Sequence, residues 1–573
     1  MKILIFYRLP PSFSLDKGDI KTYLYASFKY RVSPGLRARI NMKHLALVGS
    51  LIIGLAAAPT VLAKKKSVEE IKKANAKAKA ELQVGVLKQQ FFMLGASAAA
   101  IKAGNKLKSP FAQTGILFDD YTSAEKRSSA PAGYVSFVNR IKRISKKSDL
   151  AALTGTFNAT MIPAPLNTSR DRKSKHILIR ANAPQLAPTG KKLPKKVRRA
   201  FSSYYKDLLA MSGAGLSKKE INDSLKLQLE WIEINSKKTK NRITKPQTLS
   251  SLKRLVPQFD WKKFSRKIGV IKSSDKIRLI NPERFAALLK LRDKYSLAAM
   301  KGMYVFHLTS SYADILSKKF QQRSAKFANA LNPRKELPIG LRAVSYVQRL
   351  QPEALSAAYA MAFYWGDIKQ ETEEIASKAK KELVASLQKS KLDSKTKKLL
   401  IKKAKATNFV AGHRGKVDYK RIKLKKGRPV DNINTVLRAT FKEKMKAQRR
   451  TPATFVSWAT KGIYETKTNS IFVSSALLQR KELLDGKPMA RSKYFAEITN
   501  LVKMSLAKSL SAKTGVLKKA EYKRVLKNKK LVSKTLTAYL GKKTTWNGSQ
   551  GNMPNYHLKT CLTAGCKLTG VSH

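Results

Sequence analysis

The side chains that most often hold metals or act as nucleophiles are scarce in this chain, which has 6 histidines and 2 cysteines in 573 residues. Cys561 and Cys566 stand in a C-x4-C spacing near the C-terminus. In an oxidising compartment that spacing could close a small loop. As a metal site it needs two further ligands, for which His557 and His573 are the local candidates. His44, His176, His307 and His413 are scattered, and His307 reads as a packed or interhelical hydrogen-bonding residue rather than a ligand. Two cysteines also exclude a small disulfide-stapled scaffold. Carboxylates thin out toward the C-terminus as well: after Glu497 the remaining chain has a single acidic residue, Glu521.

The most informative stretch is Thr460-Lys461-Gly462-Ile463-Tyr464-Glu465-Thr466-Lys467-Thr468-Asn469-Ser470-Ile471-Phe472-Val473-Ser474-Ser475-Ala476-Leu477-Leu478-Gln479. It is followed by Lys493-Tyr494-Phe495-Ala496-Glu497-Ile498-Thr499-Asn500-Leu501-Val502-Lys503-Met504-Ser505-Leu506-Ala507. The first segment resembles, without a gap, the VNAYYNPxxNEIVFPAAILQ segment of the neprilysin and endothelin-converting-enzyme family of zinc metallopeptidases. Tyr464, Asn469, Ile471, Ala476, Leu478 and Gln479 are the matching positions. Where that family continues to its HExxH motif, this chain has Lys503-Met504-Ser505-Leu506-Ala507. The resemblance is therefore to a degenerate member. Two histidines four apart on one helical turn supply two of the three protein ligands of such a zinc, and the intervening Glu is the general base for its bound water. Lys503 and Ala507 supply no ligand, and Met504 cannot carry a proton. The family takes its third ligand from a Glu on a later helix, but no ExxxD spacing follows Glu497. The substrate-positioning Asn-Ala pair is replaced by Lys461-Gly462.

The resemblance extends over roughly residues 140 to 510. Leu193-Pro194, Tyr204-Tyr205 and Leu208 to Gly213 echo the family's YxxxLxxLLxLxG element. Pro257-Gln258-Phe259-Asp260-Trp261-Lys262-Lys263-Phe264, then Ile280-Asn281-Pro282 and Phe285, resemble its PxFDWxxF and the NP that opens the next helix. Tyr304 to Leu308 with Ser311-Tyr312-Ala313 and Leu316-Ser317 resemble its YLxWHLLxSxAxxLS helix. Leu392 to Lys397, Lys403 and Phe409-Val410-Ala411-Gly412 are similar to its WMDxxTKxxAxxKL and the IGYP turn after it. Any one piece alone is an ordinary amphipathic helix; their common order and spacing carry the likeness. It implies a mainly α, two-lobed neprilysin-like architecture with a remnant of the thermolysin-like sheet and active-site helix.

Stepping outward to what must position these residues, 43% hydrophobic content suffices for a sizeable core and more than one lobe. Lysine and arginine total 117 against 36 acidic residues, a formal net charge of +81. Such self-repulsion calls for screening by salt or a polyanion. No RRM, zinc-finger or homeodomain signature accompanies the charge, so sequence-specific nucleic-acid reading is not expected; solvated helix faces are the bland alternative. Leu45 to Ala58 is an uninterrupted apolar and small-residue run, preceded by Arg37, Arg39 and Lys43 and followed by Pro59 to Ala63. This reads as a signal peptide cleaved after Ala63, or, if uncleaved, as a segment just long enough to anchor the chain.

The expected division is 1–63 signal peptide, with 1–41 either a long n-region or an upstream extension; 64–133 a Lys/Ala-rich helix and a loose stretch; 134–450 a helical N-terminal domain; 451–512 a catalytic-domain remnant; and 513–573 a basic tail. Ile177 to Arg180 and Ser470 to Val473 are the expected strands. The resemblance implies that Ser470 to Val473 is the edge of the active-site sheet, to which a peptide adds by main-chain hydrogen bonds. The functional expectation is an exported, periplasmic or extracellular pseudopeptidase that binds peptides or anionic cell-envelope polymers without zinc. Its groove would be lined by Lys461, Gly462, Tyr464, Ser470, Ile471, Phe472 and Val473. The alternatives are an active zinc metalloendopeptidase using unrecognised ligands and a cationic structural envelope-binding protein.

Overall fold

The structure is a computed structural model. It describes residues 68–107, 109–171, 174–181, 193–237, 242–333, 337–363, 366–412, 422–446, 456–458, 463–465, 469–478, 499–500, 502–507, 509–510, 517, 519–540, 544–545 and 568–569. The described chain is mainly α-helical, with short strands in small sheets. It divides into two compact units that interleave in sequence. One unit takes residues 115–351 and 420–451; the other takes 1–114, 352–419 and 452–573. Segments 352–419 and 452–573 thus share a unit, whereas the linear division expected from the sequence separates them at 450.

In the 115–351 unit the resemblance motifs turn out to be packing and capping devices. Asp260 caps the helix Trp261–Ile268, its Oδ1 accepting from the Lys263 amide at 2.9 Å. Trp261 and Phe264 on that helix are buried, and the Trp261 ring stacks on Phe285 with centroids 5.5 Å apart. Gly155 on the helix Leu150–Ala159 lets this helix pass close, since an added Cβ would lie 2.5 Å from the Phe264 carbonyl oxygen. Ser217 and Glu220 form a reciprocal capping box on the helix Lys218–Ser236, which offsets two orphan amides. The helix Leu297–Leu316 runs through the centre of the unit, with most of its residues buried on all sides. His307 on it is buried, and burial pushes its pKa down to about 4, so it sits there as a neutral packed imidazole. A small sheet completes the unit: β1 (Leu166–Arg170) pairs antiparallel with β2 (Ile177–Ala181), which pairs parallel with β3 (Ile277–Ile280). The expected strand at 177–180 is β2; its two partners carry no comparable apolar run.

The described part of the other unit starts with the helix Val68–Lys102, and the division at residue 114 falls within the next helix, Ser109–Ser123. The stretch expected to be loose up to 132 is thus largely helical, because its alanines and glutamines suit a helix and one face has a core to enter. Val86 on this helix packs in a cluster with Tyr359 and Ala476, and the Tyr359 hydroxyl donates to Gln89 Oε1 at 2.7 Å. The main core of the unit joins the helices Gly366–Lys389 and Ser394–Lys405, strand residues Ala411, Ile471 and Val473, helical residues 502–507 and 509–510, and the helices Lys519–Lys527 and Lys529–Leu540. Most of the described part of the segment expected as a basic tail is therefore folded into this core, through Leu517, Val525, Val532, Leu536 and Tyr539.

Candidate functional site

The second unit holds a three-stranded sheet ordered β4-β6-β5, with β4 Asn408–Gly412, β5 Ile463–Glu465 and β6 Ser470–Ser474. β6 pairs parallel with β4 and antiparallel with β5. The expected edge strand is therefore the middle one. All five β6 residues are buried, so Ser470, Ile471, Phe472 and Val473 form the core of the sheet and do not line an open groove. Ser470, Ile471 and Phe472 are paired on both sides, so that part of β6 offers no free edge to a peptide. Among the described residues the terminal strand on that side is β5, which contains Tyr464. Lys461 and Gly462 lie outside the described residues.

The turn into β6 is fixed by Asn469, which takes a left-handed conformation at φ 49° and is buried. Its side-chain amide donates to the Lys403 carbonyl and to Thr407 Oγ1, each at 3.2 Å, and its carbonyl accepts from the Asn408 amide at 2.9 Å. This one asparagine thus ties the end of the Ser394–Lys405 helix to both parallel strands.

Lys403 is itself fully buried. Its ammonium donates to the carbonyl of Leu510 at 2.8 Å, and burial pushes its pKa down to about 7. Asp393 begins the same helix as Lys403; its Oδ1 accepts from the Thr396 amide at 2.9 Å, and hydrogen bonds to Thr396 hold its carboxyl below the usual carboxylate range. The Asp of the WMDxxTKxxAxxKL likeness is thus the N-cap of its own helix, and the second Lys is a buried pin to the helical segment on which the sequence likeness places the metal-binding positions.

On that helix Met504 and Ala507 are buried, and Ala507 packs in the apolar cluster with Val502 and Leu506. Lys503 reaches the other way. Its Nζ lies 2.6 Å from Glu382 Oε2 and 5.6 Å from the centre of the Tyr539 ring. The Tyr539 hydroxyl donates to the Ala379 carbonyl at 2.8 Å, and burial, with the Glu382 charge beside it, raises its pKa. Glu382 and Tyr539, from helices on either side of Lys503 in the sequence, are the site residues that the sequence reading missed; their separations of more than a hundred and of tens of residues left no local signal. A zinc held here as the resemblance implies would need imidazole donors at 503 and 507 and a base for its water at 504. An ammonium paired to a carboxylate and a methyl group supply no donor, and a buried thioether is no base, so these residues do not fit one. Among the described residues, no cluster of three or more His, Cys, Asp or Glu side chains is placed to hold a metal elsewhere. His413, Cys561, Cys566, His557 and His573 lie outside the described residues, as does Glu497.

The family model for peptidase family M13 matches residues 65–413, well over half of the chain. The chain belongs to peptidase family M13, in keeping with its resemblance to neprilysin. Among solved structures it is similar in fold to the zinc metalloprotease Zmp1 of Mycobacterium tuberculosis in its open state, with TM-score 0.61 and 13% identity over 83% of this chain and 77% of that one. The inhibitor complex of the same enzyme gives TM-score 0.53 and 12% identity over 86% and 78%. PepO of Lactobacillus rhamnosis gives TM-score 0.55 and 11% identity over 87% and 84%. These likenesses establish a shared fold.

Proposed function

We propose that this chain is an exported member of family M13 that binds extended peptides along β5 without zinc-dependent hydrolysis. The observation that carries the reading is the Lys503–Glu382 ion pair, at the position the sequence likeness assigns to the family's first metal ligand, in the unit whose sheet has β5 as a terminal strand among the described residues. Strand addition needs main-chain donors and acceptors and a register, and neither requires a metal. Tyr464 stands at the centre of β5, paired with Ile471 of β6. The apolar run ending at Ala63 supports export, and the net charge of +81 supports a further affinity for anionic envelope polymers. A purely cationic structural role is the second reading, favoured by that charge alone.

Peptide capture separates the two. A peptide retained from a diverse mixture is resynthesised with alternate main-chain nitrogens methylated. Methylation on the phase that pairs with β5 is expected to weaken binding roughly five-fold for each donor lost, since a net hydrogen bond contributes about 1 kcal/mol. Methylation on the other phase should leave binding nearly unchanged. Retention that ignores methylation and collapses steeply with salt supports the polyelectrolyte reading instead.

A further inference from the structure

The Val68–Lys102 helix has an outer face that the preceding account leaves without a role. Its inner face is core: Val86, Met93, Leu94, Ala98 and Ala100 are buried. On the other side Val84 is 42% exposed, Phe91 36% and Phe92 41%. Positions 84, 88, 91, 95, 99 and 102 follow the three-and-four spacing of one helical face. Gly95 on it has open space where a Cβ would stand, and Ala99 lies a turn further on. Residues 83–102 are apolar and long enough to cross a bilayer, yet 44% of that window is buried inside the protein. A helix so embedded in its own unit can lie on a membrane with its outer face, but it cannot span one and keep its core.

We propose that this face docks on the surface of an anionic lipid bilayer, with Val84, Phe91 and Phe92 entering the boundary between headgroups and acyl chains. Two features of the chain choose a lipid surface over a protein partner. The first is charge. From residue 82 to residue 118 there is no acidic residue, while Lys88 stands on the apolar face and Lys102 and Lys106, both exposed, stand at its C-terminal end. Cations beside exposed aromatics are the chemistry of interfacial helices, which add apolar burial to attraction for anionic headgroups. The second is position. The apolar run that ends at Ala63 stops only a few residues before Val68. Any membrane contact of that run holds the start of the helix at the lipid surface. At 1.5 Å per residue, Phe92 lies about 36 Å along the axis from Val68, so it meets the same surface if the helix lies along it. This inference is independent of the peptide-binding reading.

The test reads the face itself, so that binding through residues 45–63 cannot imitate it. In the full chain, with Cys561→Ser and Cys566→Ser, single probes are placed by Phe92→Cys, by Ala385→Cys at an exposed position on another helix, and by Ser97→Cys on the buried face. Each is labelled with an environment-sensitive fluorophore and mixed with phosphatidylcholine vesicles, with or without phosphatidylglycerol, whose acyl chains carry bromine quenchers. Position 92 should be quenched several-fold more than position 385, only with phosphatidylglycerol present, and position 97 should not change. Chain bound to vesicles with position 92 no more quenched than position 385 overturns the proposal. Equal quenching at positions 92 and 97 also overturns it, because the helix would then have left its core.

Discussion

The stability difference between the native chain and Lys403→Met is expected to change by about 2–3 kcal/mol between pH 7 and pH 9. The lysine stem is fully buried, and burial holds its folded pKa down at about 7, against roughly 10.4 in an unfolded chain. Between those two values the unfolded chain carries a proton that the folded chain has released. Unfolding therefore takes up a proton, and stability rises with pH across the window by about 1.4 kcal/mol per unit. The contribution is fully present above the unfolded pKa and is lost as pH falls toward 7. Methionine keeps most of the stem volume but neither the charge nor the bond to the Leu510 carbonyl, so its curve lacks this slope. At pH 7 the variant loses about 1 kcal/mol for the bond but escapes a cost of about 4 kcal/mol for the buried charge, so it should be the more stable. By pH 9 that advantage should shrink to about 1 kcal/mol. Urea unfolding of both proteins at several pH values checks this; parallel curves would mean that Lys403 keeps its proton in the fold.

Trp261→Ala is expected to destabilise the chain by roughly 3–5 kcal/mol, the range for deleting a large buried aromatic. The indole is buried, it stacks on Phe285, and it meets Phe259 edge-on with centroids 4.8 Å apart. Its Nε1 donates to the Val256 carbonyl at 3.2 Å. Trp261→Phe keeps a ring against Phe285 but leaves that carbonyl without this donor, and should lose about 1–3 kcal/mol. Denaturant midpoints for the two variants measure both values. A loss below 1 kcal/mol for the alanine variant would mean that this aromatic cluster does not hold the Leu150–Ala159 and Trp261–Ile268 helices together.

These two residues show what in the sequence was legible. Trp261, Phe264, Asp260, Asp393 and Lys403 stand at motif positions because each caps or packs a helix, and such local roles survive at low identity. Strand β2 was visible as Ile177-Leu178-Ile179, and His307 as a packed residue on a helix apolar all round. Less was legible where pairing is long-range. β4 and β6 lie about sixty residues apart and build their unit from three separate segments, so no window of sequence contains their contact. One signal was present and points the other way from the edge-strand expectation: Ile471-Phe472-Val473 is a continuous apolar run rather than an alternating one, the pattern of a strand covered on both faces. The Lys503–Glu382 pair had no such signal, because a lysine among 117 basic residues announces no partner.

The central claim is that a family M13 fold here holds peptides without the zinc chemistry. It is tested most directly by incubating the purified chain with a diverse peptide mixture, with added zinc and with chelator, while reading products and retained peptides by mass spectrometry. The account predicts no chelator-sensitive cleavage and a set of intact peptides retained in either condition. Cleavage that copurifies with the chain, depends on zinc and is abolished by chelator would contradict it.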